Sequence, residues 1–265
     1  MKKISIISVV YNAVDNIENM IKSVIGQKNI DFEFIIIDGK SNDGTVDIIK
    51  KYSKYINYWI SETDNGIYNA MNKGIEKATG NYLYFLGADD YLNEDILDKV
   101  VQYLDGKIDI VCGKVYLIDN LLKIKKVNGK FLSKKDILNG KMPPHQGMFI
   151  KRDLILKYKF NEKYTMASDY ELFLRFVLEG ATVEFINLIV ANYSIEGTSS
   201  TNIKKLKEEY IDVLKKYNLD NNIDHFLKYN KEKKWKTMIK SILKVLKLER
   251  YIKCYLLGWK NINEY

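Results

Sequence analysis

Four short apolar runs, each separated from the next by a stretch of helical spacing, constrain this chain more than any other feature. Residues 4–10 (ISIISVV) and 32–37 are rich in β-branched side chains and read as strands buried on both faces. Residues 58–61 read as a shorter strand and 82–86 as another buried one. Between them, residues 14–27 place Ile17, Met20, Ile21 and Val24 at helical spacing. Residues 45–55 and 67–78 are also helical, the last stopped by Thr79-Gly80. Strands alternating with helices require right-handed crossovers and a mostly parallel sheet, so the chain is expected to be an α/β protein. Beyond Asp90 the rhythm loosens. The pattern predicts a helix over 96–104, a strand over 108–115 and a hairpin of 115–118 with 123–127 around Asp119-Asn120. A strand over 147–150 follows Pro143-Pro144, then a helix over 170–179 and a strand over 183–189. Everything from Lys204 onward reads as helix.

Charge divides the same chain in two. The 265 residues carry 42 Lys/Arg against 34 Asp/Glu, a net charge of +8. Residues 203–265 hold 16 of the basic and 8 of the acidic side chains, which leaves 26 of each sign in residues 1–202. The body is neutral and the excess lies in the tail, with the stretch EGTSSTN at the joint. This gives an expected body over 1–202 and a basic helical C-terminal region over 203–265. In the tail, Trp235, Met238, Ile239, Ile242, Leu243 and Leu246 form one stripe, with Lys236, Lys240, Lys244 and Lys247 mostly off it. Tyr251, Ile252, Tyr255, Leu256 and Trp259 extend the apolar side. Such a helix suits an anionic membrane surface, each lysine adding about 1 kcal/mol of attraction. Packing on the body, or self-association into an oligomer, are the other readings. Nucleic acid is not an expected partner, because the basic excess follows an apolar-striped helix rather than a groove among aromatics.

Cys112 and Cys254 form no CxxC and only two histidines exist, which excludes zinc-ribbon, redox-motif and histidine-rich metal chemistry and suits a reducing compartment. The N-terminal MKKISIISVVYNA reads as a first strand rather than a secretory leader, and no apolar run approaches the roughly 20 residues of a membrane span.

In a parallel sheet, ligands bind at the carboxyl ends of the strands. Tyr11-Asn12, Asp38 and Asp89-Asp90 all fall there. The stretch FLGADD is the most demanding of these: a buried strand runs straight into two carboxylates, whose desolvation costs several kcal/mol, very roughly, unless compensated. A metal ion would compensate both. Neither GxGxxG nor GxxxxGK[ST] occurs, so the usual dinucleotide and P-loop sites are excluded. Each acid also has an ordinary role open to it: Asp38 as a turn residue, Asp89-Asp90 as a cap for the next helix, Asp169 as a cap for the helix that follows it.

The motifs SVVYN at 5, IIIDGKSNDGT at 35, DNGIYNAMNKGI at 64, ADD at 88, PHQGMFI at 144 and ASDYELFLR at 167 occur in an order that resembles the inverting family-two glycosyltransferases of the GT-A fold. More narrowly they resemble bacterial enzymes that build O-antigen, capsule and exopolysaccharide. The resemblance spans roughly the first 200 residues. It implies transfer of a sugar from a nucleotide-sugar donor, a UDP-hexose or UDP-N-acetylhexosamine, to a lipid-linked glycan acceptor at the cytoplasmic face of the membrane. By the same resemblance, Asp38 bonds the pyrimidine ring and Tyr11 and Asn12 floor the base and ribose. Asp64, Gly66, Asn72 and Gly74 line the diphosphate and sugar, Asp89 with Asp90 beside it holds Mg²⁺ or Mn²⁺, and Asp169 is the catalytic base. His145 and Gln146 are assigned to the acceptor or phosphate wall, with Glu171 the rival for the base. The chain departs from the family pattern at Gly87, where the first acid of DxD is missing, at Met71 and at Ser168. Two rivals remain: a sugar-nucleotide pyrophosphorylase, whose glycine-rich basic signature SVVYNAVDN lacks, and a non-catalytic nucleotide-sugar or membrane-surface binding protein.

Overall fold

The computed structural model describes residues 3–195, 202–228 and 249–262. The four expected strands form β1 (Ile4–Val10), β2 (Phe32–Asp38), β3 (Tyr58–Ser61) and β4 (Tyr82–Phe85), all parallel in the spatial order β3-β2-β1-β4. The crossovers carry α1 (Ile17–Ile25), α2 (Thr45–Lys51) and α3 (Ile67–Lys77). Strand alternation sends successive residues to opposite faces. Ile4, Ile6 and Val10 enter one core with Ile17, Met20 and Val24 of α1, while Ile7 enters the other with Tyr68, Met71 and Ile75 of α3. Gly74 explains how closely α3 sits: a Cβ there would lie 2.4 Å from Ile7 Cγ2. Gly74, expected near the diphosphate, is therefore a packing glycine.

After β4 come β5 (Tyr91–Leu92), α4 (Ile96–Val100), β6 (Ile110–Asp119), β7 (Ile124–Asn128), α5 (Lys134–Leu138), β8 (Met148–Lys151), α6 (Arg152–Tyr158), α7 (Ser168–Leu178) and β9 (Val183–Ser194). The sheet continues antiparallel from β4 through β8 and β6 to β7. β9 runs parallel to β6, with its register broken between Cys112 and Val115. The hairpin expected around Asp119-Asn120 is β6–β7. The pieces the sequence pattern does not announce, β5, α5 and α6, are too short for a period to show. α5 is instead marked by a capping box between Ser133 and Asp136.

The tail begins with α8 (Ile203–Lys216), which packs on the body. Val213 and Leu214 are fully buried in the α3/α7 core, and Tyr210 stacks between Tyr170 (4.4 Å between ring centres) and Phe226 (5.1 Å). Residues 235–246, the centre of the proposed membrane stripe, lie outside the described residues. Beyond them, α9 (Glu249–Leu257) leads into a two-residue strand, β10 (Lys260–Asn261), where helix was expected; it pairs antiparallel with β7. Trp259, assigned to the membrane-facing side, is 7% exposed. It lies under the Lys253 ammonium, which makes a buried 2.5 Å ion pair with Asp119. Among the described residues no helix is long and apolar enough to cross a membrane.

Candidate active site

The ends of β1, β2 and β3 are in register, Val10 opposite Asp38 and Asp38 opposite Ser61, so their loops open on one edge. Asp38 is wholly buried there. Its carboxylate accepts hydrogen bonds from the Ser41 N–H (3.0 Å), the Ser41 hydroxyl and the Ser61 hydroxyl (both 2.5 Å). The carboxylate expected to meet a pyrimidine ring is here engaged by donors of its own loop and of β3. What it does is tie the 39–45 turn to β3. The turn is laced in the same way to the loop after β1: Asn12 N–H donates to Ser41 Oγ, Ala13 N–H to Thr45 Oγ1 and Val14 N–H to Asp43, while Asn12 Oδ1 accepts from Asn42 N–H. Asn12 is thereby a loop-holding residue, with a left-handed φ of 46°. Tyr11, by contrast, is 66% exposed.

Asp64 lies beside Tyr11. A Cβ on Gly39 would meet Asp64 Oδ2 at 2.7 Å and Tyr11 Cδ2 at 3.4 Å, so the missing side chain at 39 leaves room for this carboxylate beside the tyrosine ring. The other oxygen, Oδ1, accepts from Gly66 N–H at 2.9 Å, and the φ of 109° at Gly66 allows that turn at the start of α3.

The turn after β4 brings Asp89 and Asp90 together. Asp90 points inward: it accepts from Ser194 N–H at 3.0 Å and from the Gln146 side chain, and burial, then the neighbouring Asp89, pushes its carboxyl up to about 8. Gly87 is a cradle. A Cβ there would stand 2.7 Å from Asp90 Oδ2 and 3.2 Å from Asp89 Oδ1, so a side chain at this position would force the Asp90 carboxylate to shift. Two crowded carboxylates at the end of a buried strand suit a divalent cation, whose charge would relieve their repulsion. Among the described residues no three His, Cys, Asp or Glu side chains gather as a metal cage. An ion here would complete its shell with phosphate and water oxygens, as Mg²⁺ does. The capping role for this pair is not seen, since α4 starts at Ile96 after Asp95.

Asp169 lies in the first turn of α7. Its Oδ1 accepts from Tyr170 N–H (2.8 Å) and from the Tyr68 hydroxyl of α3 (3.3 Å). Burial holds its carboxyl above the ordinary range, opposed by His145 and by these two donors. The His145 ring stacks on Phe85, the last residue of β4, at 5.5 Å, and meets Phe160 edge-on at 6.0 Å. Its Nε2 is buried without a hydrogen-bond partner, and burial lowers its pKa, opposed by Asp169. The turn after Pro144 thus bears on both acidic centres: His145 lies within electrostatic range of Asp169, and Gln146 bonds Asp90.

Two expected residues stand elsewhere. Glu171 is fully buried and held by Lys216 Nζ (2.7 Å), the Tyr217 hydroxyl (2.6 Å) and Arg175 (3.3 Å), so it is structural and not a rival base or acceptor contact. Asn72 exchanges hydrogen bonds with both backbone groups of Phe160 and donates to Glu162, which makes it a brace for the chain leading to α7 and not a diphosphate contact. Tyr68, missed by the sequence reading, lies one turn before Asn72 on the same helix face. That spacing was the available signal; for Glu162 there was none.

A family description, glycosyl transferase family 2, matches residues 5–180. An uncharacterised glycosyltransferase of Mycobacterium tuberculosis (strain H37Rv) is 31% identical over 202 residues, covering 74% of this chain and 77% of its own. A PGL/p-HBAD biosynthesis glycosyltransferase of Mycobacterium bovis (strain BCG / Pasteur 1173P2) is 31% identical over 215 residues, covering 76% and 80%. Among solved structures, Staphylococcus aureus TarS 1–349 in complex with UDP-GlcNAc superposes with a TM-score of 0.67 at 18% identity, covering 85% of this chain and 71% of that one. The mannosyltransferase PcManGT from Pyrobaculum calidifontis, in complex with GDP-Man and Mn²⁺, gives 0.57 at 16% identity, covering 72% and 56%. The order of strands, the loop edge they share and the family match across about two thirds of the chain agree: this protein belongs to glycosyl transferase family 2, has the GT-A fold and is a glycosyltransferase.

Proposed function

We propose that the protein is an inverting transferase that moves a sugar from a UDP-hexose or UDP-N-acetylhexosamine to a hydroxyl of a lipid-linked glycan in cell-surface glycan biosynthesis. The observation that carries this reading is the 145–146 turn, which packs on the end of β4 through His145 and Phe85, bonds Asp90 through Gln146, and lies within electrostatic range of the buried Asp169. Tyr11 stacks under the base, with Asp64 in place of Asp38 as the nearby hydrogen-bond acceptor. Asp89, with Asp90 behind it, would hold Mg²⁺ or Mn²⁺. Bound there, the ion supplies Lewis-acid neutralisation of the departing diphosphate. Asp169 takes the proton from the acceptor hydroxyl as its oxygen bonds to the anomeric carbon and the bond from that carbon to the diphosphate breaks. A single displacement inverts the anomeric centre. The raised pKa of Asp169 makes it a better proton acceptor than an exposed aspartate, and the Tyr68 hydroxyl and Tyr170 N–H fix its orientation.

TarS crystallised with UDP and UDP-GlcNAc, and PcManGT with Mn²⁺, which favours a nucleotide sugar and a divalent ion. The mycobacterial relative named for PGL/p-HBAD biosynthesis favours a glycan or glycolipid product. The basic excess of residues 203–265 favours a peripheral position at the inner face of the plasma membrane.

A panel of nucleotide sugars, with and without Mn²⁺ and with short polyprenyl-diphosphate sugars as acceptors, tests the reading by nucleotide release and product mass. Asp169→Asn is expected to reduce transfer by about 10²–10⁴-fold and to leave UDP binding in place. UDP binding with no turnover on any acceptor, unchanged by Asp169→Asn, would instead favour a non-catalytic binding protein.

A further inference from the structure

Helix α7 carries Asp169 but begins without a cap of its own. Ala167 holds the N-cap position and has no side-chain oxygen, and the first helical bond is Glu171 N–H to Ala167 O at 2.9 Å. The one residue of a capping type nearby, Ser168, sits a position too late, and its hydroxyl is buried without a hydrogen-bond partner. Helix starts leave backbone N–H groups that need acceptors from outside the helix. Here a carboxylate of another helix holds the turn that leads into α7, reaching as far as the N-cap N–H of Ala167. Glu209 Oε2 accepts from Met166 N–H at 2.8 Å and Ala167 N–H at 3.0 Å. The Thr165 N–H is shared between Oε1 (3.0 Å) and Oε2 (3.2 Å), and Oε1 also accepts the Thr165 hydroxyl at 2.9 Å.

Glu209 does not act alone. Asp212, three residues on, accepts from Lys163 and from the Tyr164 hydroxyl, both at 2.8 Å. Lys216 and Tyr217, a further turn on, hold Glu171. Positions 209, 212 and 216 share one face of α8, and that face lies along residues 163–171. α8 starts 23 residues beyond the end of the family match and belongs by composition to the basic tail.

We infer that Glu209 is a positioning residue for Asp169: it fixes the three residues that lead into the base-bearing turn, so the C-terminal region contributes to the chemistry without touching the substrate. The inference rests on Asp169 being the base. A negative charge at a helix start is also favourable for the helix itself. Because two carboxylate oxygens serve four donors, a glutamine can replace only part of the set, and an alanine none of it.

The test uses the full chain, with Glu209→Gln as the mild and Glu209→Ala as the severe variant. Two readouts are taken. The first is amide hydrogen exchange of the unliganded protein. Residues 165–167 are expected to exchange at least about 10-fold faster in both variants, with β1 unchanged. The second is transfer kinetics with the donor selected by the panel. Glu209→Ala is expected to lower kcat by roughly 10- to 100-fold, and Glu209→Gln by less, with donor KM and UDP Kd within about twofold of the parent. A merely structural role would lower the amount of folded protein or weaken donor binding in parallel with kcat; that pattern, unchanged exchange at 165–167, or a kcat within twofold of the parent for both variants would overturn the inference. Asp169→Asn separates the two failures. If transfer survives that change, the assignment of the base falls. If Asp169→Asn abolishes transfer while the Glu209 variants keep full kcat, only the role of Glu209 falls.

Discussion

The donor side and the base side of this edge are built in opposite ways. On the donor side, Tyr11, the 39–45 turn, Asp64 and the 87–90 turn all follow directly on parallel strands, and the loops after β1 and β2 hold one another within about 30 residues of sequence; the 87–90 turn is the exception, with Asp90 held by Ser194 from 104 residues away. On the base side, Asp169 meets Tyr68 from 101 residues away, Asn72 braces Phe160 across 88, and Glu209 holds the turn before α7 from 42 residues downstream of Ala167. Local loops make a surface that exists as soon as the sheet does. The base exists only when α3, the 145–147 turn, α7 and α8 are all docked. Damage to the donor side should therefore appear first in nucleotide and metal affinity, and damage to the base side in turnover.

After Asp169→Asn, the largest expected effect is on the donor side. Asp89→Ala should remove metal-dependent transfer, by about 10²–10³-fold, while leaving the fold intact; retention of Mn²⁺-stimulated turnover would move the ion elsewhere. The contrast between Asp38 and Asp64 sharpens the same side. Asp64→Asn is expected to weaken UDP binding with little change in melting temperature. Asp38→Asn, which disturbs a buried carboxylate serving three donors, should lower stability by about 1–3 kcal/mol. If the two variants exchange these effects, the buried position of Asp38 is not that of the working protein. On the base side, Glu171→Gln should destabilise the chain by about 1–3 kcal/mol and leave kcat of the folded protein near that of the parent. The size is kept below that of a fully buried pair because Lys216 is 43% exposed.

The smallest effect expected is on pH dependence. A base must be ionised, so turnover is lost as pH falls through the pKa of Asp169, which burial holds above the usual carboxylate range. The Tyr68 hydroxyl lowers that pKa by donating to the carboxylate. Tyr68→Phe should therefore move the acidic limb of kcat to higher pH and reduce the plateau several-fold; a limb that stays put or moves down would separate Tyr68 from the base.

The same difference explains what could be read in the sequence. Strands β1, β2 and β4 were legible because burial on both faces writes an unbroken β-branched run, and their loops because turn residues follow each run. The motif order carried the GT-A fold as a resemblance, and the parallel sheet follows from the pattern alone. What the motifs did not disclose was the direction in which a side chain points. Asp38 and Asp64 are both acids at the sheet edge, yet one is sealed by two serines and the other reaches the space over Gly39. Asp169 and Glu171 are two residues apart in one helix and face different partners. Asn72 and Gly74 sit in the same motif as Gly66 but serve packing. The division by charge at residue 203 followed composition faithfully but could not reveal that Val213, Leu214 and Tyr210 complete the core beneath α7.

The most direct measurement is a crystal structure of the Asp169→Asn chain with UDP and Mn²⁺. The account predicts uracil over Tyr11, the cation on Asp89 and residue 169 facing the vacated sugar side, with the 145–146 turn between them. A nucleotide bound at the other end of the sheet, in the cleft lined by Thr79, Asn81, Lys151 and Arg152, would contradict it.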